Sequence, residues 1–215
     1  MKKSGFTLAE VLITLSIIGV VAAMTLPNLQ TDIVQRQIGP KLAKAVSTFE
    51  QASEALLNER MSDSLIDADI VSTAASNSTG NDLASNLTDF MKASSDGATV
   101  TAKDGTYYQI TINNGNTSYK QPHNNLVGSV LIDIDGNARG ADSLAEDRFR
   151  FSLYDDGSLR AYGSANYLGS KGTTTTTTPW LNNCDKTHSP NTNAKKEACT
   201  GYIFENNLKA DYKLD

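Results

Sequence analysis

The chain has 215 residues, 20% of them charged, and a formal net charge of −5. That length fits one domain plus a substantial extra element, or two small domains. The mild acidity argues against a nucleic-acid binder, which shows a basic patch or stripe. Two cysteines, Cys184 and Cys199, and two histidines, His123 and His188, supply a zinc site poorly. Cys/Cys/His ligation through His188 stays open beside a disulfide, which an oxidising compartment favours. Such a bridge closes a loop of roughly 16 residues and stabilises by about 3 kcal/mol.

The first element is an apolar run, FTLAEVLITLSIIGVVAAMTL, over residues 6–26. As a helix it rises roughly 30 Å, the thickness of a bilayer's hydrocarbon core. Lys2 and Lys3 precede it and orient the rest of the chain outside the cytoplasm. A secretory signal is the rival, with Val21-Ala22-Ala23 as small residues for cleavage after Ala23. Two features oppose it. The run is long for a signal, and Glu10 stands inside it. An intramembrane carboxylate costs about 2.5–3.5 kcal/mol at a helix centre and less near an end. It therefore asks for a partner, unless it sits close enough to the interface to be tolerated. Cleavage after Gly5 would supply one, the new α-amino group of Phe6, one helical turn away or facing Glu10 of a neighbouring copy.

These residues carry a resemblance. KKSGFTLAEVLITLSIIGVVAAMTLPNL resembles the N-terminus of the type IV pilin and type II secretion pseudopilin superfamily. The likeness lies in the short basic leader ending at Gly5, then Phe6-Thr7-Leu8 and Glu10. Gly19 inside the apolar run and Pro27 at its end fit the same pattern. The resemblance covers roughly the first 55 residues closely and implies several things. A prepilin peptidase cuts between Gly5 and Phe6, and the new amine is methylated. Glu10 directs assembly with copies of the chain and related subunits, on an inner-membrane platform. The stretch from Gly19 to Pro27 can lose helicity on assembly. The chain is then a substrate of that peptidase rather than an enzyme. Four segments follow: a leader (1–5), a transmembrane and filament-core helix (6–27), an amphipathic continuation (28–58) and an extracytoplasmic head (59–215).

Beyond Pro27 the pattern turns amphipathic. Leu42, Val46, Phe49, Ser53 and Leu56 recur at helical steps, with Lys41, Lys44, Glu50 and Glu54 on other faces. Pro27 and Pro40 are expected to bend or locally open the helix, and Gly39 weakens the same place. A break there would separate an anchor from a head-packing helix.

The head reads as a polar linker over 58–82 and a short helix over 83–93, capped by Asn81 or Asp82, with Leu83, Leu87, Phe90 and Met91 on one face. ATVTAK and TYYQITI flank Asp104-Gly105, a hairpin signal. VGSVLIDI leads to Asp135-Gly136, and RFRFSLY leads through Asp155-Asp156-Gly157 to SLRAYG. Their alternation predicts half-buried antiparallel strands. The fold class is α+β: a long N-terminal helix packed on an antiparallel sheet of about four to six strands, pilin-like by the resemblance. The threonines over 173–178 read as a surface loop, with sugar attachment as the alternative. Trp180 anchors the chain after them, and GYIFENNLKADY is expected to return as an edge strand. The resemblance adds a disulfide-bounded C-terminal region, Cys184 with Cys199.

Chemistry is sparse. Asp133, Asp135 and Asn137 recur every second residue, as calcium ligands do, and Asp142 could join them. The loop fails the EF-hand pattern, since Gly136 is fourth and Leu144 twelfth. A solvated turn is the alternative, and calcium is the one cofactor the sequence offers. His123 and His188 sit in polar loops, and no nucleophile elbow or phosphate loop is present. Three sequons, at Asn77, Asn86 and Asn116, are short enough to recur by chance in so Asn/Thr-rich a chain. The expectation is a structural subunit of a type IV filament or secretion pseudopilus, held in the membrane before assembly and then in the periplasm or at the cell surface. The alternative is a minor tip subunit whose head recognises a surface, a secreted substrate or DNA.

Overall fold

A computed structural model describes residues 7–71, 80–112, 126–136, 147–164, 184 and 193–210, the side chains of 25–34 and 193–195 excepted. The long helix α1, Leu8–Glu59, is a single α-helix. It passes positions 27 and 40 without interruption, so anchor and head-packing stretch are one element rather than two pieces parted at Gly39-Pro40. The place of Gly39 has another explanation. A Cβ there would overlap the Leu208 carbonyl, so glycine lets the C-terminal turn lie against the helix. That turn carries positive φ at Asn207 and Leu208 and ends on buried Ala210.

The stripe expected on α1 is the core. Leu42, Val46, Phe49, Ser53 and Leu56 are all buried, with Phe49 at 0% exposure. Each fully buried large apolar side chain stabilises by roughly 1.5–3 kcal/mol. Phe49 packs against Tyr108 with ring centroids 5.8 Å apart. The Tyr108 hydroxyl donates to the Ala45 carbonyl at 3.1 Å. Burial, with Asp104 nearby, pushes that phenol well above its ordinary pKa.

Residues 60–71 are more than a linker. Leu65, Ile70 and Val71 are buried, and the Leu65 amide donates to the Asp155 carbonyl at 2.7 Å. Next comes α2, Asn81–Met91, which buries Leu83, Ala84, Leu87 and Met91. Its N-cap is Gly80 with no side-chain cap, so neither Asn81 nor Asp82 caps it. Phe90 is partly buried against the same core.

The sheet has six strands in sequential order, every neighbouring pair antiparallel. They are β1 (Ala93–Asp96), β2 (Thr99–Ala102), β3 (Tyr107–Ile112), β4 (Leu126–Asp133), β5 (Arg148–Tyr154) and β6 (Leu159–Ala161). The expected β2–β3 hairpin forms around Asp104-Gly105. Its loop is longer than a two-residue turn, because the Ala102 amide donates to the Thr106 carbonyl and Gly105 takes φ +90°. Val100, Tyr108, Ile110, Val130, Ile132, Phe149, Phe151 and Leu153 line the core. The β5–β6 turn touches α1 directly, since a Cβ on Gly157 would stand 2.6 Å from the Ser53 Cβ.

The expected C-terminal edge strand is instead a helix, α3, Asn193–Glu205. Ala198, Cys199, Tyr202 and Ile203 are buried at helical spacing. The helix covers the sheet edge where the short β6 stops. Thr200 Oγ1 accepts the Arg150 amide at 3.2 Å, Glu197 pairs with the Arg150 guanidinium at 2.8 Å, and the Gly201 amide donates to the Tyr162 carbonyl. Capping an edge this way removes a template for unwanted strand pairing. Cys184 and Cys199 form a disulfide that ties residue 184 to α3.

Candidate assembly helix

The first described residue starts the element that matters. Thr7 is the N-cap of α1, in extended backbone. Its amide and its hydroxyl both donate to Glu10 Oε2, at 2.8 and 2.7 Å. The Glu10 amide donates back to Thr7 Oγ1 at 3.3 Å. This is a capping box, which satisfies amides that a helix start leaves orphaned. Thr7-Leu8-Ala9-Glu10 is its written signature, and it gives Glu10 a partner beyond those expected from the sequence. Glu10 therefore has a partner inside its own chain. Gly5 and Phe6, the positions of the expected cleavage and methylation, lie outside the described residues.

From Leu8 the helix shows apolar side chains all round. Leu8 is 79% exposed and Ile18 64%, and Ile13, Leu15, Ile17 and Met24 are likewise exposed. Polar side chains in this stretch turn inward to the helix. Thr14 donates to the Val11 carbonyl and Ser16 to the Leu12 carbonyl. A Cβ on Gly19 would meet nothing within 4 Å, so no neighbour among the described residues requires glycine there. Among the described residues no helix is long and apolar enough to cross a membrane. The apolar stretch whose side chains are described, 8–24, rises about 26 Å, against about 30 Å of hydrocarbon.

Further along α1, two carboxylates meet the head with opposite consequences. Glu50 Oε1 accepts the Leu159 amide at 2.9 Å, which ties α1 to the start of β6. Burial pushes its carboxyl above the ordinary range, that hydrogen bond pulls it back, and nearby Asp156 pushes it further up. Asp104 is held below its ordinary range, first by its hydrogen bond from Lys44. That pair is 2.7 Å apart and largely exposed, so it contributes little to stability.

The acidic turn after β4 is built from its first residue. Asp133 is buried; its Oδ1 accepts the Gly136 amide at 2.8 Å and the Asp135 amide at 3.2 Å, and its Oδ2 faces Arg148 Nε at 3.4 Å. These contacts close a turn and join β4 to β5. Asn137 and Asp142, the other calcium candidates, lie outside the described residues, as do His123, His188, Trp180 and the threonine run. Among the described residues no cluster of three or more metal-ligating side chains occurs.

Residues 1–26 match the protein family described as the prokaryotic N-terminal methylation motif. This chain carries the type IV pilin/pseudopilin signature. The matched segment takes in Gly5, Phe6, the Thr7–Glu10 box and Gly19, and it ends inside α1. No curated protein and no solved structure matches the chain. The methylation motif and the capping box thus share the start of one helix, and the head beyond it has only its own physics to speak for it.

Proposed function

We propose that the chain is a structural subunit of a type IV filament or a type II secretion pseudopilus. A prepilin peptidase removes residues 1–5, Phe6 becomes the methylated N-terminus, and the apolar half of α1 holds the subunit in the inner membrane. An assembly platform then draws subunits out, and their apolar helices bundle into the filament core. The observation that carries this reading is the exposed apolar stretch 8–24, continuous in one helix with the buried stripe of the head. Water does not tolerate so large a contiguous apolar surface, so it marks a membrane or another helix as its proper surroundings.

Glu10 has two roles in this reading. Before processing it closes the capping box with Thr7. After processing it faces a new cation on Phe6, in its own chain or the neighbour's. In an apolar medium such a pair is far better than two lone charges, so it sets the register between subunits. Gly19 costs the helix about 1 kcal/mol relative to alanine, and no contact among the described residues explains it. This supports 19–27 as the stretch that loosens on assembly. The disulfide and the α3 cover keep the head edge closed outside the cytoplasm.

Intact mass and N-terminal sequencing of the protein from native membranes test the proposal. A chain that starts at Phe6 with one added methyl is expected. A chain that starts at Met24 would make it an ordinary secreted protein and end the filament reading.

A further inference from the structure

The two edges of the sheet are finished differently. At β6 the outward backbone groups are taken. The Leu159 amide donates to Glu50, the Ala161 carbonyl accepts the Ser164 amide, and beyond the strand Thr200 accepts the Arg150 amide. The opposite edge is β1. The Ala102 amide donates to the Thr106 carbonyl and the Ile110 amide to the Ala98 carbonyl. Ala98, Val100 and Ala102 therefore turn their backbone groups to β3, and Thr99 and Thr101 turn theirs to β1. Asp96 and Ser94, which stand opposite those threonines, face inward in return. That leaves Ala93 and Ser95 with amide and carbonyl turned outward. Among the described residues neither has a backbone partner on that side.

The edge is also accessible. Ser95 stands opposite the buried Val100 and shares its face, yet Ser95 is exposed. The layer that buries Val100 thus stops short of the edge. Lys92, in left-handed backbone at the end of α2, and Asp96 bound the strand, and both are exposed. Among the described residues neither side chain makes a hydrogen bond or ion pair. An antiparallel second copy engages Ala93 and Ser95 together in one register only, with Ser95 opposite Ala93 of the other copy. That register sets Ser94 against Ser94 and, at both ends, Lys92 against Asp96. Alignments that match Ala93 with Ala93, or Ser95 with Ser95, use half of the backbone groups and bring neither charge to its opposite. Backbone and charge thus select the same alignment independently.

We propose that the open edge is a self-complementary docking surface, on which β1 of one copy of this chain pairs antiparallel with β1 of a second copy. The exchanged backbone hydrogen bonds hold the strands together, and the Lys92–Asp96 pairs fix the register. The contact is isologous, so it closes as a pair and does not propagate. Its twofold axis stands perpendicular to the sheet. α1 lies along the sheet face, where Phe49 packs on Tyr108, so the axis reverses the direction of α1. In the filament-subunit reading, on which this step rests, the second copy belongs to another filament that runs the opposite way. A four-residue strand makes a weak contact singly, and its repetition along two filaments makes a strong one.

Ser94→Cys in the full-length protein is the test. Across the twofold the two Ser94 Cα atoms come about 4.5 Å apart, within reach of a disulfide. Mild oxidation of the concentrated, detergent-solubilised protein is expected to give a dimer and nothing larger. Asp96→Cys is expected to stay monomeric, since the two Asp96 positions lie about 13 Å apart. Monomer from S94C, an equal dimer from D96C, a species larger than a dimer, or S94C joined to a different protein would each overturn the pairing. Charge reversal in the S94C background is a second measure. K92E or D96K alone should lower the dimer yield about fivefold, the upper range for an exposed pair. Together they should restore it, and a double variant no better than the singles overturns the register. The detergent assay does not depend on filaments, so the failures separate. S94C dimer from a chain that keeps residues 1–5 in native membranes sinks the subunit reading and leaves the β1 pair standing. Processed chain at Phe6 with no S94C dimer sinks the β1 pair alone. In electron micrographs, sheared filaments are expected in bundles that D96K disperses, and bundles unchanged by D96K overturn the placement between filaments.

Discussion

The two halves of α1 are built from similar residue types and live in different surroundings. Over 38–57 the apolar residues form one stripe, and the stripe is buried against the molecule's own sheet. Over 8–24 apolar residues cover every face, and nearly all of them are exposed. The first half completes a fold that needs no second molecule. The stretch 8–24 contributes no side chain to the core formed by the described residues. Apolar content alone does not separate them, whereas its distribution around the helix does. A stripe calls for a sheet, and a full circumference calls for lipid or other helices.

The sharpest way to break the comparison is one substitution in each half. Phe49→Ala removes a fully buried ring that packs on Tyr108. It should cost the head about 3–5 kcal/mol, read as a fall in thermal midpoint of the detergent-solubilised full chain. Glu10→Ala should leave that midpoint unchanged, because Glu10 contacts only Thr7 at the far end of the helix. Its effect should appear as loss of sheared filaments. Normal filament yield from Glu10→Ala, or a matching drop in head stability, would collapse the distinction between the halves.

Gly39→Ala tests where the head half begins. In an exposed helix interior alanine is better than glycine by about 1 kcal/mol. Here the added methyl must displace the Leu208 backbone, and overpacking of that kind costs about 1–3 kcal/mol. The net expectation is destabilisation by about 1 kcal/mol, measured by urea unfolding. A stabilised variant would mean that the C-terminal turn does not depend on Gly39, and the head would begin further along the helix.

Legibility followed the same physics. The α1 stripe, the β4 and β5 alternation and the β2–β3 hairpin were readable because each pattern matches its element's period. The strand β1 is not legible because Ala93–Asp96, ASSD, has almost no apolar side chain and so no alternation. Tyr202-Ile203-Phe204 reads locally as a strand. The residues become helical because Ala198, Cys199, Tyr202 and Ile203 pack under a disulfide that no local window reveals. Leu65, Ile70 and Val71 looked like linker because buried apolar residues at irregular spacing carry no period. At the candidate site the motif was legible and the capping box was overlooked, since Glu10 had been matched only to a partner outside its own helix.

The smallest expected effect lies where α1 meets β6. Glu50 is more easily protonated in the fold than in the unfolded chain, chiefly because burial disfavours its charge. The folded state therefore binds the extra proton over the interval from the ordinary carboxylate range up to the raised value, and stability falls as pH rises through that interval. Asp104 has the opposite sign. Its carboxyl is held low by Lys44, so its contribution is present above the ordinary range and is lost as pH falls through the lowered value. Glu50→Gln keeps an oxygen to accept the Leu159 amide and removes the charge. At pH 7 the variant should be more stable than the parent by roughly a few tenths of a kcal/mol. The gap should close as pH falls below the carboxylate range, where Glu50 is already neutral. Urea unfolding of both proteins at several pH values measures it. A parent that gains on the variant as pH rises would mean that the Leu159 amide outweighs burial, and that Glu50 is held in place by its charge.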